Sequence, residues 1–221
     1  MLLRLFGLLP AAAVLFLLAP AHSGEKKGAA GITVDKDKRT VTIDAKVAPR
    51  KLPKFTRIYP IEVIATFPAP RGQKAHETVV VYDVKPSDVH KALVGLGLKP
   101  GKPGLGEVSK ASGPLVEIYL EVNGKKIPIE ETMVDLKSGK PLPRLKWHFT
   151  GSAEKMPDPE KDDKVYGADL TGTLIAIFPV TDETVIQSGL GAKDEGKWKL
   201  EVNRKLLPKE GAAVKLIIQA K

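Results

Sequence analysis

The sequence predicts an α+β fold, mostly antiparallel β with one helix over about residues 86–97. Three observations lead there. Short segments of alternating apolar and polar residues recur along most of the chain, which is the period of half-buried strands. Only one stretch changes to a helical period. The chain is 43% hydrophobic but only 5% aromatic, with 20 glycines and 18 prolines spread through its 221 residues, so the core must rest on Val, Ile and Leu between many turns.

Residues 1–23 stand apart. Met1-Leu2-Leu3-Arg4 is a short basic start, residues 5–18 are an apolar run broken by Pro10, and small residues offer cleavage after Ala21 or Ser23. The run is shorter than the roughly 20 residues of a spanning helix. The expectation is a cleaved secretory signal (1–23), a flexible leader (24–31) and a single domain (32–221), with an uncleaved anchor as the alternative. No later segment is apolar for long enough to span, so no integral membrane segment is expected after cleavage. The product would be secreted or periplasmic in a bacterium.

In order along the domain, residues 32–47 (ITVDKDKRTVTIDAKV) read as a hairpin around the polar turn at 35–38. A proline- and lysine-rich connector (49–60) follows, then a β-branched strand (61–67), a loop (PAPRGQK) and a second such strand (77–84). Val89, Ala92, Leu93 and Leu96 then fall at i, i+3, i+4 and i+7, one stripe of a helix. Pro86 and Ser87 supply its start and Gly97 its stop, with Leu98 placed for the apolar contact of a glycine cap. A glycine–proline loop covers 98–114. Residues 116–122 alternate, and Asn123-Gly124 joins them to 125–131 through a turn that needs positive φ at both positions. Further strands are expected at 145–149, 165–169, 173–178, 197–202 and 214–220, with 150–164 an exposed loop.

The absence of cysteine excludes disulfides, thiol nucleophiles, iron–sulfur clusters and a lipid-modified cysteine. The net charge of +9 favours acidic partners such as an anionic envelope component, although lysines on strand edges also serve solubility. Export argues against nucleic acid.

The stretch KAHETVVVYDVKPSDVHKAL (residues 74–93) holds the strongest candidates. A zinc-protease motif would need a second histidine at Val80 and a helix beneath it, so that reading fails. The segment reads as a strand, so His76 shares a face with Thr78 and Val80 while Glu77 faces the other way, and the two cannot easily act on one atom. His90 sits about 100° from Val89, off the apolar stripe. It is therefore expected to be exposed, and far from His76. Lys74, His76 and Glu77 remain as candidate binding residues at a loop–strand junction. His76 is either a ligand contact or base, or a holder of loop backbone. No metal and no cofactor is expected.

Other patterns fail on spacing or order. GLGLKPGKPGLG (95–106) lacks the phosphate-loop spacing and follows its helix instead of preceding it. Ser152 and Lys155 match Ser-x-x-Lys, with Lys137-Ser138-Gly139 as a distant partner, but the order is reversed and Pro157 and Pro159 oppose a helix there. Asp158, Glu160, Asp162 and Asp163 lack the glycine and closing glutamate of a calcium loop. Trp147 and Trp198 sit among lysines, as a sugar or polyanion grip would require, and equally as an ordinary strand with one buried face.

The central stretch resembles the YdjY-type domain family of exported bacterial proteins. The likeness rests on Lys74-x-His76-Glu77, His90-x-Ala92-Leu93 and the exit Gly97-Leu98-x-Pro100-Gly101, with RTVTIDAKV, WHFTGS and YGADLTGTLIAIF beside them. The resemblance implies a domain of unknown function on secreted or envelope proteins, with no role assigned to any of these positions. The function expected is a non-enzymatic binding or structural module of the bacterial envelope, working through loops 68–76 and 98–114 on an envelope protein or anionic component. A hydrolase or metal-dependent enzyme centred on His76 and Glu77 is the alternative, and a polyanion-binding protein a second one.

Overall fold

The computed structural model describes residues 25–27 and 30–221, so the expected signal lies outside the described residues. In chain order the first strands are β1 (Glu25–Lys27), β2 (Ile32–Asp35), β3 (Thr40–Val47), β4 (Val63–Thr66) and β5 (Thr78–Tyr82), followed by helix α1 (Pro86–Gly95). Next come β6 (Leu115–Val122), β7 (Lys125–Pro128), a 3-10 turn (Ile129–Thr132), β8 (Met133–Asp135), β9 (Trp147–Phe149), β10 (Glu154–Lys155) and β11 (Val165–Tyr166). The chain then forms α2 (Gly167–Thr171), β12 (Ile175–Ala176), β13 (Ile186–Ser188), α3 (Ala192–Glu195), β14 (Leu200–Val202) and β15 (Ala213–Ala220).

Eight of these strands close on themselves. The ring runs β3-β15-β6-β9-β13-β12-β4-β5, and β5 pairs back onto β3 through Ala45↔Tyr82, Lys46↔Val81 and Val47↔Val80. Closure removes the open edges that a flat sheet would leave. Two seams are parallel, β4 with β5 and β12 with β13, and the other barrel seams are antiparallel. The first half of β3 pairs with β2 instead of β5, so the β2–β3 hairpin leaves the barrel as a leaf, and β1 (within the expected leader) lies along its outer edge.

Alternation places the core. On β6, Val116, Ile118, Leu120 and Val122 are buried between half-exposed neighbours, and on β3 buried Val41, Ile43, Ala45 and Val47 alternate in part with exposed Asp44 and Lys46. Strands β4 and β13 are buried on both faces, with Val89 and Leu93 of α1 in the same apolar cluster. The hairpin at Asn123-Gly124 forms as expected, with φ of 50° and 75° at its two turn residues. Helix α1 stops as the glycine cap requires: Gly97 has φ 88°, and the Leu98 N–H donates to the Leu93 carbonyl at 3.3 Å.

The structure departs from the expected α+β label. It is a β-rich barrel with few helices, and α2 and α3 join α1 among the described residues. The strand expected at 165–169 ends at Tyr166, because the next turn is helical and its Asp169 carboxylate accepts the Ser87 N–H at 2.8 Å. That bond caps α1, whose own N-terminus has no side-chain cap. The loop 150–164 is in part a short hairpin, since β10 pairs with β11. The glycine–proline loop 98–114 also folds on itself through bridges at Lys102↔Ser112 and Leu105↔Ser109. Gln187 of β13 clamps it, accepting from the Gly104 N–H at 2.6 Å and donating to the Gly104 carbonyl at 3.1 Å.

Candidate functional site

Glu77 precedes β5 and does not belong to it. Residues 73–76 form a turn in which the Glu77 N–H donates to the Lys74 carbonyl at 3.0 Å, and the strand begins only at Thr78. The opposite-face argument therefore does not hold for this pair. The turn folds His76 onto Glu77, with Nε2 3.3 Å from Oε1. Lys74 completes the group. Its Nζ lies 2.6 Å from Glu77 Oε2 and 2.7 Å from Glu62 Oε2, so the three expected residues meet around two carboxylates.

Electrostatics follow from that packing. Burial works against the charge of Lys74, but hydrogen bonds and attraction from Glu62 and Glu77 outweigh it and hold its pKa above the ordinary lysine value. Burial pushes His76 the other way, below the ordinary value, although Glu77 favours the charged form. Glu195 of α3 stands against Glu62, and burial together with the Glu62 carboxyl raises its pKa.

The connector 49–60 forms the other wall. Arg50 is only 2% exposed, and its guanidinium joins three segments. Nη1 donates to the His76 carbonyl at 2.7 Å, Nη2 donates to the Tyr59 carbonyl, and Nε donates to Glu201 Oε1 on β14 at 2.8 Å. Thus fixed, the connector lays Phe55 flat on the His76 ring (4.1 Å between centroids, 23° between planes) and sets Tyr59 edge-on to it at 5.1 Å. Between the connector and loop 68–76 opens a cleft of about 450 Å³, lined among others by Leu52, Lys54, Phe55, Pro70, Gln73 and His76. That volume is within the usual range of small-ligand sites. A larger groove of about 560 Å³ is lined by apolar residues such as Pro68, Val81 and Val214 and by charges of both signs, among them Asp44, Lys46 and Lys215.

The remaining candidates are tied into the fold. His90 is half-buried, not exposed: its Nδ1 lies 2.7 Å from the Tyr166 hydroxyl, and its ring stands edge-on to Phe149 at 5.1 Å. The Tyr166 oxygen accepts the Ser152 N–H at 3.1 Å, which leaves its own proton for a neutral His90 Nδ1. Burial accordingly lowers the His90 pKa. None of these partners touches His76, so the two histidines belong to separate clusters, as expected. Ser152 bonds Ala168 and Ala153, whereas Lys155 pairs with Asp182 and Glu183, so no Ser–Lys dyad forms. Trp147 is buried and donates to Glu130 at 2.8 Å, and Trp198 lies over Phe178. Among the described residues no cluster of three or more His, Asp or Glu side chains suits a metal ion. Loop 98–114, expected to share the working surface, turns toward Phe149, Pro179 and Gln187 and lines no part of the cleft.

Arg50, Phe55, Tyr59, Glu62 and Glu201 are the site residues that the sequence reading passed over. The signal for two of them is present, since Phe55 and Tyr59 are aromatics inside a cationic, acid-free connector.

Comparison with known proteins adds a family. The family model of the YdjY domain matches residues 32–219. The chain belongs to the YdjY domain family. No curated protein and no solved structure matches it. Every residue of the cleft, together with its supports Glu62, Glu195 and Glu201, lies inside the YdjY match. Among the described residues of the YdjY domain no helix is long and apolar enough to cross a membrane.

Proposed function

We propose that the protein is an exported binding module of the bacterial envelope, secreted or periplasmic, that takes its ligand in the cleft beside His76. The observation that carries this reading is the division of labour around that residue. Behind His76, Lys74 bridges Glu62 and Glu77, and Arg50 locks the backbone. In front of it, a mostly apolar cleft with a few polar side chains lies open, as ligand sites commonly do. A wall whose side chains are fixed by packing and by a second layer of hydrogen bonds loses little entropy when a ligand arrives. The apolar start of the chain motivates the envelope location.

A second reading rests on one specific contact. A histidine held by a carboxylate is the usual pairing of a general base and its orienting group, and His76 with Glu77 has that form. The test for both is titration of isotope-labelled protein with fractionated envelope components, followed by NMR. Shifts confined to residues 52–55 and 69–76, without consumption of the added component, are expected. Shifts elsewhere that leave the cleft silent would overturn the binding site. Turnover that His76→Ala abolishes while the fold persists would establish the enzymatic reading instead.

A further inference from the structure

The two segments that build the cleft are unlike the rest of the chain in charge. The connector carries Arg50, Lys51, Lys54 and Arg57, the loop 68–76 carries Arg71 and Lys74, and neither contains an aspartate or glutamate. Three of these cations are engaged. Arg50 holds Glu201, Lys74 holds Glu62 and Glu77, and Arg71 holds Asp83. The other three, Lys51, Lys54 and Arg57, are exposed, and among the described residues none lies within ion-pair distance of a carboxylate. Arg57 rests on the Tyr59 ring at 4.6 Å, and the Lys54 ammonium stands 5.9 Å from the Phe55 centroid, at the rim of the cleft itself.

The rest of the lining differs in character. Leu52, Pro53, Phe55, Ala69 and Pro70 supply apolar surface, with Gln73 and His76 the uncharged polar groups beside them. A free inorganic anion would use the cations and leave the apolar floor in water. A plain hydrocarbon would use the floor and gain nothing from unpaired positive charge. Only a molecule with both parts uses both features. Resting on the cleft assigned above, we infer that the ligand is an anionic amphiphile: an apolar body lies on Phe55 and Pro70, and a carboxylate or phosphate group meets Lys54, with Lys51 and Arg57 adding to the local field.

Calorimetric titration of the whole protein with decyl phosphate and with decanoate, both below micelle formation, tests this. Decanol and inorganic phosphate serve as the two half-molecules. At least one amphiphile is expected to bind at least about tenfold more tightly than either half, because each half forfeits one set of contacts. The stronger of the two distinguishes a phosphate from a carboxylate ligand. Lys54→Ala, an exposed change that should leave the melting temperature untouched, is expected to weaken binding about tenfold, the typical worth of a charge-assisted hydrogen bond. Added salt should weaken it as well. Equal affinity for inorganic phosphate or for decanol, or no effect of Lys54→Ala, would overturn the inference. If neither amphiphile binds while envelope fractions still shift the cleft resonances, the ligand class is wrong and the binding reading stands. If the resonances stay silent in both experiments, both fall.

Discussion

The Arg50 guanidinium ties the connector 49–60 to loop 68–76 and to β14. Arg50 is enclosed, and it satisfies two backbone carbonyls and one carboxylate from three separate segments. Arg50→Ala is expected to lower stability by roughly 3–5 kcal/mol, because Glu201 loses its partner and two carbonyls lose their donor. Arg50→Lys should rescue little, since an ammonium cannot reproduce the planar fork. Urea midpoints of the two variants check this, and the Phe55 and His76 ring resonances report whether the stack survives. Nothing in the sequence marks Arg50 for this role. It reads as one of several cations in a proline-rich connector, and burial of one among them is a tertiary event. His76 and Glu77 were legible as candidates because a loop–strand junction presents side chains to solvent. Their mutual contact was not, because the strand begins one residue later than its apolar run suggests, and alternation has no force inside a turn.

Between elements, the same distinction between local and distant causes holds. The Asn123-Gly124 hairpin and the Gly97 helix stop were readable, since each follows from the φ that two or three adjacent residues tolerate. Strand β13 was not, for a run of three residues buried on both faces shows no alternation. Helix α2 was hidden for another reason. Its Asp169 serves the N-terminus of α1, more than eighty residues earlier. Asp169→Ala is expected to cost about 1 kcal/mol, the usual worth of an N-terminal capping bond, with Asp169→Asn costing less. Thermal unfolding of the two variants measures it. Gln187 does similar work for the glycine loop, accepting and donating at Gly104. Gln187→Leu is expected to speed amide exchange at Gly104 at least about tenfold, the loss of a typical buried hydrogen bond, while the barrel amides stay protected.

For the whole molecule, stability depends on pH through the acid range. Burial holds His76 and His90 below the ordinary histidine value of 6.5, so the unfolded chain binds more protons than the fold. Their contribution is present in full above 6.5 and is lost as pH falls below it. Asp135, bonded by the Lys199 N–H and then by the Ser138 hydroxyl and amide, has its pKa held at about 2. Its contribution is present above the ordinary 3.8 and lost as pH falls toward 2. Glu195, raised by burial and by Glu62, acts in the opposite sense as pH rises above 4.5. Urea midpoints measured from pH 8 to pH 2 should therefore fall in two windows. The variant carrying His76→Gln and His90→Gln is expected to flatten the upper window alone.

One stave of the barrel has a consequence for how the chain is made. β15 is the final strand, yet it lies between β3 and β6 and pairs with both along its length. Without β15 the ring opens into a single seven-stranded sheet with β3 and β6 as its unpaired edges, and the pairing of Val41 with Ile218 joins residues from opposite ends of the matched domain. Such distant pairing forms slowly. Barrel closure therefore waits on residues 213–220, and a polypeptide cut short before residue 213 is expected to be left open to proteases.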